Sequence, residues 1–221
     1  VNMDAGNINP AKCTVGSKQK FSIVKYVGNG SNNQTLAHGL GVVPELVMVK
    51  NLTDNVWWNV KFKDLSSNRI LYLNDKEDED PASGSQHGHI GDLNNATTVN
   101  FTTNGSNYQN TNDNGKNYIM YSWASVPGYS KIGVWYGTNN NDGRYVDCGF
   151  RPKMLWFKNA DNVEDWYIVD TPRWGYNKRA PSNTPSASVR TLNPNQADDE
   201  TGAMGGHHTA TIDLLATGFK I

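Results

Sequence analysis

The chain has 221 residues, with 20 basic against 21 acidic side chains and a formal net charge of −1. A balance this even lacks the basic excess with which nucleic-acid and anionic-membrane binders hold phosphates, and no apolar run approaches the roughly 18 residues of a membrane-spanning helix. Abundant Gly (21), Tyr (10) and Trp (7), with runs of Asn, make many short strands joined by polar turns the expected composition of the fold.

Residues 1–20 read as an N-terminal extension. The start at Val1, with neither a signal peptide nor an initiator Met, reads as a piece of a longer or processed polypeptide. Strands are then predicted over 21–27, 34–37, 45–51, 56–63, 69–73, 97–102 and 117–124, with a single helical turn near 63–67. A second series is predicted over 131–136, 144–147, 153–158, 165–170, 188–192 and 209–215. The runs Leu46–Lys50 (LVMVK) and Met154–Lys158 (MLWFK) are apolar on both faces and mark central strands. Pro44 and Pro152 stand just ahead of them, where a missing N–H costs least. Cys13 and Cys148 lie in unlike surroundings and are expected to be free or buried thiols.

The two series repeat one another. Gly41, Pro44, Lys50 and Asn51 match Gly149, Pro152, Lys158 and Asn159, each 108 positions on (149 − 41 = 108). SIVKYVG at 22–28 resembles KIGVWYG at 131–137, and Trp58 aligns with Trp166. Leu73-Asn74 resembles Leu192-Asn193, and NFTTNGSN at 100–107 resembles DLLATGFK at 213–220. The reading is an all-β chain of two tandem β-sandwich-like domains of one repeat type, 21–127 and 128–221. Copy one closes with NYIMYSWA at 117–124, and copy two stops short of such a strand. The sheet edge left open is expected to be covered by residues 1–20, by another subunit or by further sequence.

Patterns that carry catalysis are missing. There is no G-x-S-x-G elbow, and Gly28-Asn29-Gly30 opens a hairpin turn rather than a phosphate-binding loop before a helix. The acidic runs 75–80 (DKEDED) and 198–200 (DDE) read as solvated loops, with calcium as the alternative. His87-Gly88-His89 is an H-x-H triplet, and His207-His208 stands at the corresponding place in copy two. On a strand, His87 and His89 would point to one face, and three copies around an axis would supply six ligands for a structural metal ion. The Ser, Gly and Gln around them read instead as a loop with exposed histidines, and no other cofactor is implied.

Three aromatic residues are candidate ligand contacts. Trp57 and Trp58 are neighbours in a strand and so face opposite sides. Trp58 is assigned to the core, which leaves Trp57 pointing outward unless the other copy covers it. Trp174 and Tyr176 fall in a Pro- and Ser-rich insertion at 173–188, where they either contact a ligand or pin the loop. Exposed rings among Asn, Asp and Gln suit sugar, the ring face meeting C–H groups while amides meet hydroxyls.

A strand ending in YVGNGS, then HGLGVVPELVMVKN, NFTTNGSNY and NYIMYSWASVPGYSKIG together resemble a tandem repeat of tailed-phage virion proteins, typical of marine and cyanobacterial phages. The resemblance covers about residues 21–221 and departs where copy two reads DCGFRP for HGLGVVP. It implies a part of a tail fibre or similar appendage on the outside of a virion, often a homotrimer, contacting other virion proteins and presenting a surface to host glycan. It implies no catalytic residues. The expected function is therefore non-enzymatic receptor or glycan binding. A capsid or tail structural protein that touches only virion partners is the first alternative, and a glycan-degrading enzyme the lesser one.

Overall fold

The alternating sequences FSIVKYV and NYIMYSW divide their side chains between two faces, and that division builds the core of the first half of the chain. In the computed structural model the described residues are 3–81, 88–102, 108–138, 143–174, 191–197 and 212–221. They form an all-β protein that divides into two compact units, residues 1–126 with 131–133 and residues 127–130 with 134–221.

The first unit contains β1 (Pro10–Gly16), β2 (Phe21–Val27), β3 (Gln34–Ala37), β4 (Leu46–Asn51), β5 (Asn59–Phe62), β6 (Arg69–Tyr72), β7 (Asp80–Pro81), β8 (His89–Ile90), β9 (Thr98–Thr102) and β10 (Asn117–Trp123). Seven strands make one antiparallel sheet in the order β1-β2-β10-β4-β5-β6-β7, and three make another in the order β3-β9-β8. The larger sheet turns Val24, Tyr26, Val47, Val49, Tyr118 and Met120 inward, and the smaller adds Leu36, Ile90, Val99 and Phe101. Two sheets thus enclose one core, the arrangement of a sandwich. Tyr26 lies at its centre, its ring 5.1 Å from Tyr118 and 5.4 Å from Phe101. Each such buried side chain contributes about 1.5–3 kcal/mol of burial free energy.

Residues expected as an N-terminal extension are built into this sandwich. β1 pairs with β2 from Gly16↔Phe21 to Pro10↔Tyr26, with an irregularity between Pro10 and Lys12. It is an edge strand of the larger sheet. The helical turn expected near 63–67 is a hydrogen-bonded turn instead, closed by Leu65 N–H to Phe62 O at 3.3 Å.

The second unit contains β11 (Tyr145–Asp147), β12 (Met154–Lys158), β13 (Trp166–Asp170), a four-residue helix α1 (Thr171–Trp174), β14 (Asp213–Leu214) and β15 (Gly218–Lys220). The helix, missed in the sequence, is started by Asp170, whose Oδ1 accepts the Arg173 N–H at 3.1 Å. β12 and β13 form a hairpin, and β11-β15-β14 a three-stranded sheet. Tyr167, Val169, Ile212, Leu214 and Phe219 are buried between them, with Trp135, Val146, Leu155 and Phe157 packed against them. The strand expected over 131–136 does not form: that stretch pairs with no described strand.

The strand registers of the two units correspond. β4 pairs with β5 from Leu46↔Phe62 to Val49↔Asn59, and β12 with β13 from Met154↔Asp170 to Phe157↔Tyr167. Both strands of the pair are displaced by 108 (154 − 46 and 170 − 62). The Trp58 N–H donates to Asn74 Oδ1 at 2.8 Å, and the Trp166 N–H to Asn195 Oδ1 at 3.0 Å. Asn74 therefore corresponds to Asn195, and Leu71, opposite Val60, to Leu192, bridged to Ile168. This moves the sequence alignment of Leu73-Asn74 with Leu192-Asn193 by two positions. The smaller sheets agree as well, in the orders β3-β9-β8 and β11-β15-β14. His38 N–H donates to Thr97 O, and Cys148 N–H to Thr217 O. Gly39 and Gly149, each the next residue, share φ +75°, a conformation that favours glycine. From each glycine to the proline ahead of the next strand the chain runs five residues in the first unit (39 to 44) and three in the second (149 to 152). Residues 213–220 span a hairpin that matches β8 and β9 together, not 100–107.

Candidate functional site

The conspicuous motif Lys-Asn serves the fold. Asn51 Oδ1 accepts the Thr53 N–H at 2.8 Å, and Asn159 Oδ1 accepts the Asp161 N–H at 3.0 Å. Lys50 Nζ donates to Val56 O and Lys158 Nζ to Asn159 O, both at 2.7 Å. Each pair closes the turn after a central strand, as a short amide side chain does well.

The Asn-rich loops of the first unit also spend their amides internally. Asn112 Nδ2 donates to Asn29 Oδ1 at 2.9 Å and Ser31 O at 2.8 Å, and its Oδ1 accepts the Asn29 N–H at 3.0 Å. Asn51 Nδ2 and the Tyr118 hydroxyl both donate to Gln109 O at 2.9 Å. Tyr26 donates its hydroxyl to Thr111 O. Burial raises both tyrosine pKa values well above the phenol range, because a phenolate there would lose its water. At this end of the sandwich these amides and hydroxyls are bonded internally, whereas the buried Asn110 amide and Thr111 hydroxyl have no hydrogen-bond partner among the described residues.

His38 and Lys61 are among the ionisable side chains held inside the first unit. His38 is fully buried; its Nδ1 accepts the Leu40 N–H at 3.2 Å, leaving Nε2–H to donate to Asn95 O at 3.3 Å. Desolvation lowers its pKa, outweighing the opposing bond to Asn95. Lys61, 1% exposed, points inward from β5 and meets Asp92 Oδ1 and Arg69 O at 2.8 Å and Ser66 O at 3.2 Å. Desolvation pushes the Asp92 carboxyl up, but hydrogen bonds from Lys61, Ser67 and the Asn68 N–H, with the Lys61 charge, bring it down to about 2.

The outward face of the larger sheet carries the most distinctive surface. Phe21, Ile23, Ile119, Tyr121 and Trp123 alternate with the core residues of β2 and β10, and all are half-buried. Register sets Phe21 directly opposite Trp123, and their centroids are 4.9 Å apart. Tyr121 lies 5.9 Å from Trp123 and 6.4 Å from both Phe21 and Trp58. All four pairs are within 28° of parallel. Such a bank of rings offers flat, partly dry surface to a ligand. The sequence displayed the two alternating strands, but only their pairing brought these rings together.

The candidates read from the sequence are distributed differently. Trp57 is 38% exposed and leans on Tyr72 at 5.2 Å. Tyr72 faces inward opposite Asn59, so Trp57 is on the other side of the sheet from the ring bank. Trp58, expected in the core, is half-buried within that bank, whereas Trp166 at the corresponding register is 1% exposed. His89, expected in an exposed loop, is in β8 and 3% exposed. Its H-x-H partner His87, and Tyr176, lie outside the described residues, as does the side chain of Trp174 at the end of α1. Among the described residues no three His, Cys, Asp or Glu side chains converge to hold a metal ion.

The chain belongs to the family described as "Domain of unknown function (DUF7483)", whose profile matches residues 2–221. No curated protein and no solved structure matches it significantly.

Proposed function

We propose that this family member is a non-enzymatic module of a phage virion appendage, tail-fibre-like, built from two copies of one β-sandwich repeat and presenting a surface to host-cell glycan. The two-copy reading is supported by the common displacement of 108 in both strands of the β4–β5 and β12–β13 hairpins and by the paired Trp–Asn bonds. The glycan reading is carried by the bank of Phe21, Trp58, Tyr121 and Trp123, nearly parallel and half-buried. Rings so arranged match the flat C–H face of a sugar. A single such site binds weakly, and many copies on one particle raise avidity through effective concentration.

A second reading has an observation of its own. Ile23 and Ile119 flank the rings, and a face that is aliphatic as well as aromatic suits a protein partner. On that reading the module is a capsid or tail structural protein. The test is binding of labelled, cross-linked oligomers of the full chain to bacterial cells and to extracted surface polysaccharide. Saturable binding that falls at least tenfold for Trp123→Ala, and is unchanged for Trp57→Ala, supports the glycan reading. No binding over a broad host panel, with the oligomers intact, rejects it in favour of the structural one.

A further inference from the structure

Strand register sets the outward residues of the larger sheet in rows across the strands. One row places Phe21 opposite Trp123, and the next places Ile23 opposite Tyr121. The row after that carries charge. Lys12 of β1 stands opposite Lys25 of β2, Lys25 opposite Ile119 of β10, and Ile119 opposite Lys50 of β4. Tyr121 and Lys25 are diagonal neighbours on one face, about 7–8 Å apart at the backbone, a gap that a lysine side chain spans.

Folding alone does not explain this row. Like charges directly opposite one another in a sheet destabilise it. Lys12 and Lys25 are both exposed, and among the described residues no carboxylate pairs with either. A lysine on an edge strand discourages pairing with another sheet. That accounts for Lys12 in β1 but not for Lys25, one strand further in. Lys50 differs from both, because its Nζ is held by Val56 O at 2.7 Å. Two uncommitted ammonium groups therefore border the ring bank. An ammonium attracts anionic oxygen as a point charge, without the planar fork of Arg, so a carboxylate and a phosphate suit it alike.

We propose that the glycan taken up on the ring bank is anionic: a sugar unit lies on Tyr121 and Trp123 while a carboxylate or phosphate of the same chain meets Lys12 and Lys25. The inference deepens the glycan reading and rests on it. The even charge balance of the whole chain is no obstacle, because the field of two lysines acts within a Debye length of about 8–10 Å. A single-stranded polynucleotide combines the same two chemistries, stacking and negative charge. It carries a phosphate at every unit, however, and a chain of net charge −1 adds no wider basic field to hold them.

The test titrates the full chain with surface polysaccharide extracted from a broad panel of bacteria and separated by anion exchange into acidic and neutral fractions, read by tryptophan fluorescence. At roughly 50 mM NaCl the acidic fraction is expected to bind at least tenfold more tightly than the neutral one, and the preference to shrink at least fivefold by roughly 500 mM. Lys12→Gln combined with Lys25→Gln is expected to abolish the preference and leave the unfolding midpoint unchanged or higher. Lys153→Gln, an exposed lysine of the second unit, is expected to change neither. Loss of the preference on removing phosphate with hydrofluoric acid, or on reducing the carboxyls, supports the proposal and identifies the anion; a preference that survives both treatments overturns it. Equal affinity for the two fractions, or a preference that persists in the double variant, overturns this inference and leaves the glycan reading standing. Binding of neither fraction rejects both, and so does tighter binding of oligothymidylate.

Discussion

Replacing Asp92 by Asn removes the counter-charge of a lysine that is almost out of reach of water. The Lys61 side chain is 1% exposed and its three donors are taken by Asp92, Arg69 O and Ser66 O. Breaking a fully buried pair from one side costs about 3–5 kcal/mol. The Asp92 side chain is 39% exposed, so water can partly solvate what remains, and we expect a loss of about 2 kcal/mol. The pKa gives an independent bound. A carboxyl at about 2 against an ordinary 3.8 corresponds to about 2.4 kcal/mol if fully shielded, and screening at this exposure reduces it to about 1–1.5 kcal/mol. Because the folded-state pKa is depressed, this stability is present above pH 3.8 and is lost as pH falls toward 2. Urea unfolding of the wild type, Asp92→Asn, Lys61→Val and the double variant measures the coupling. Valine is the choice because Val169 occupies the corresponding register. The double variant should be more stable than Asp92→Asn, as expected when an unpaired buried charge is removed. A loss below about 0.5 kcal/mol for Asp92→Asn, or a double variant less stable than both singles, would refute the reasoning.

His38 is buried neutral, with a pKa below 6.5, so the unfolded chain binds more protons below that pH and stability should fall as pH drops from 6.5 toward the folded-state value. His38→Gln should flatten that slope, and an unaltered pH profile would count against the assignment. Gly28→Ala should cost at least about 2 kcal/mol, since a Cβ there would stand 2.2 Å from Asp113 O and 2.8 Å from Asn112 C, backbone atoms that cannot rotate away. Gly133→Ala meets nothing within 4 Å and should stay within about 0.5 kcal/mol of wild type, both read by thermal unfolding. Trp135→Ala removes the ring that touches Phe157 and Phe219 and should destabilise the second unit by about 2–4 kcal/mol, seen as faster exchange across β13 and β15 with the first unit unaffected.

The sequence alone determined the all-β class and most strands of the first unit, because period-two alternation and turn residues act locally. The Lys50-Asn51 and Lys158-Asn159 motifs stood out in the sequence, but their role in closing turns did not. Tertiary structure decided what depends on neighbours distant in sequence. β1 was invisible because its exposed edge carries no hydrophobic pattern. Residues 131–136 have the composition of a strand, yet a strand is completed only by a partner's N–H and C=O groups, and no described strand supplies them. The ring bank needed the register of β2 against β10, since alternation says which residues share a face without saying which strand lies beside them. His89 was read as exposed from its Gly and Ser neighbours, and β9 buried it by pairing with β8. Residue type and spacing fix what a segment can become, and the strands that pair with it decide which of those states has its backbone hydrogen bonds satisfied.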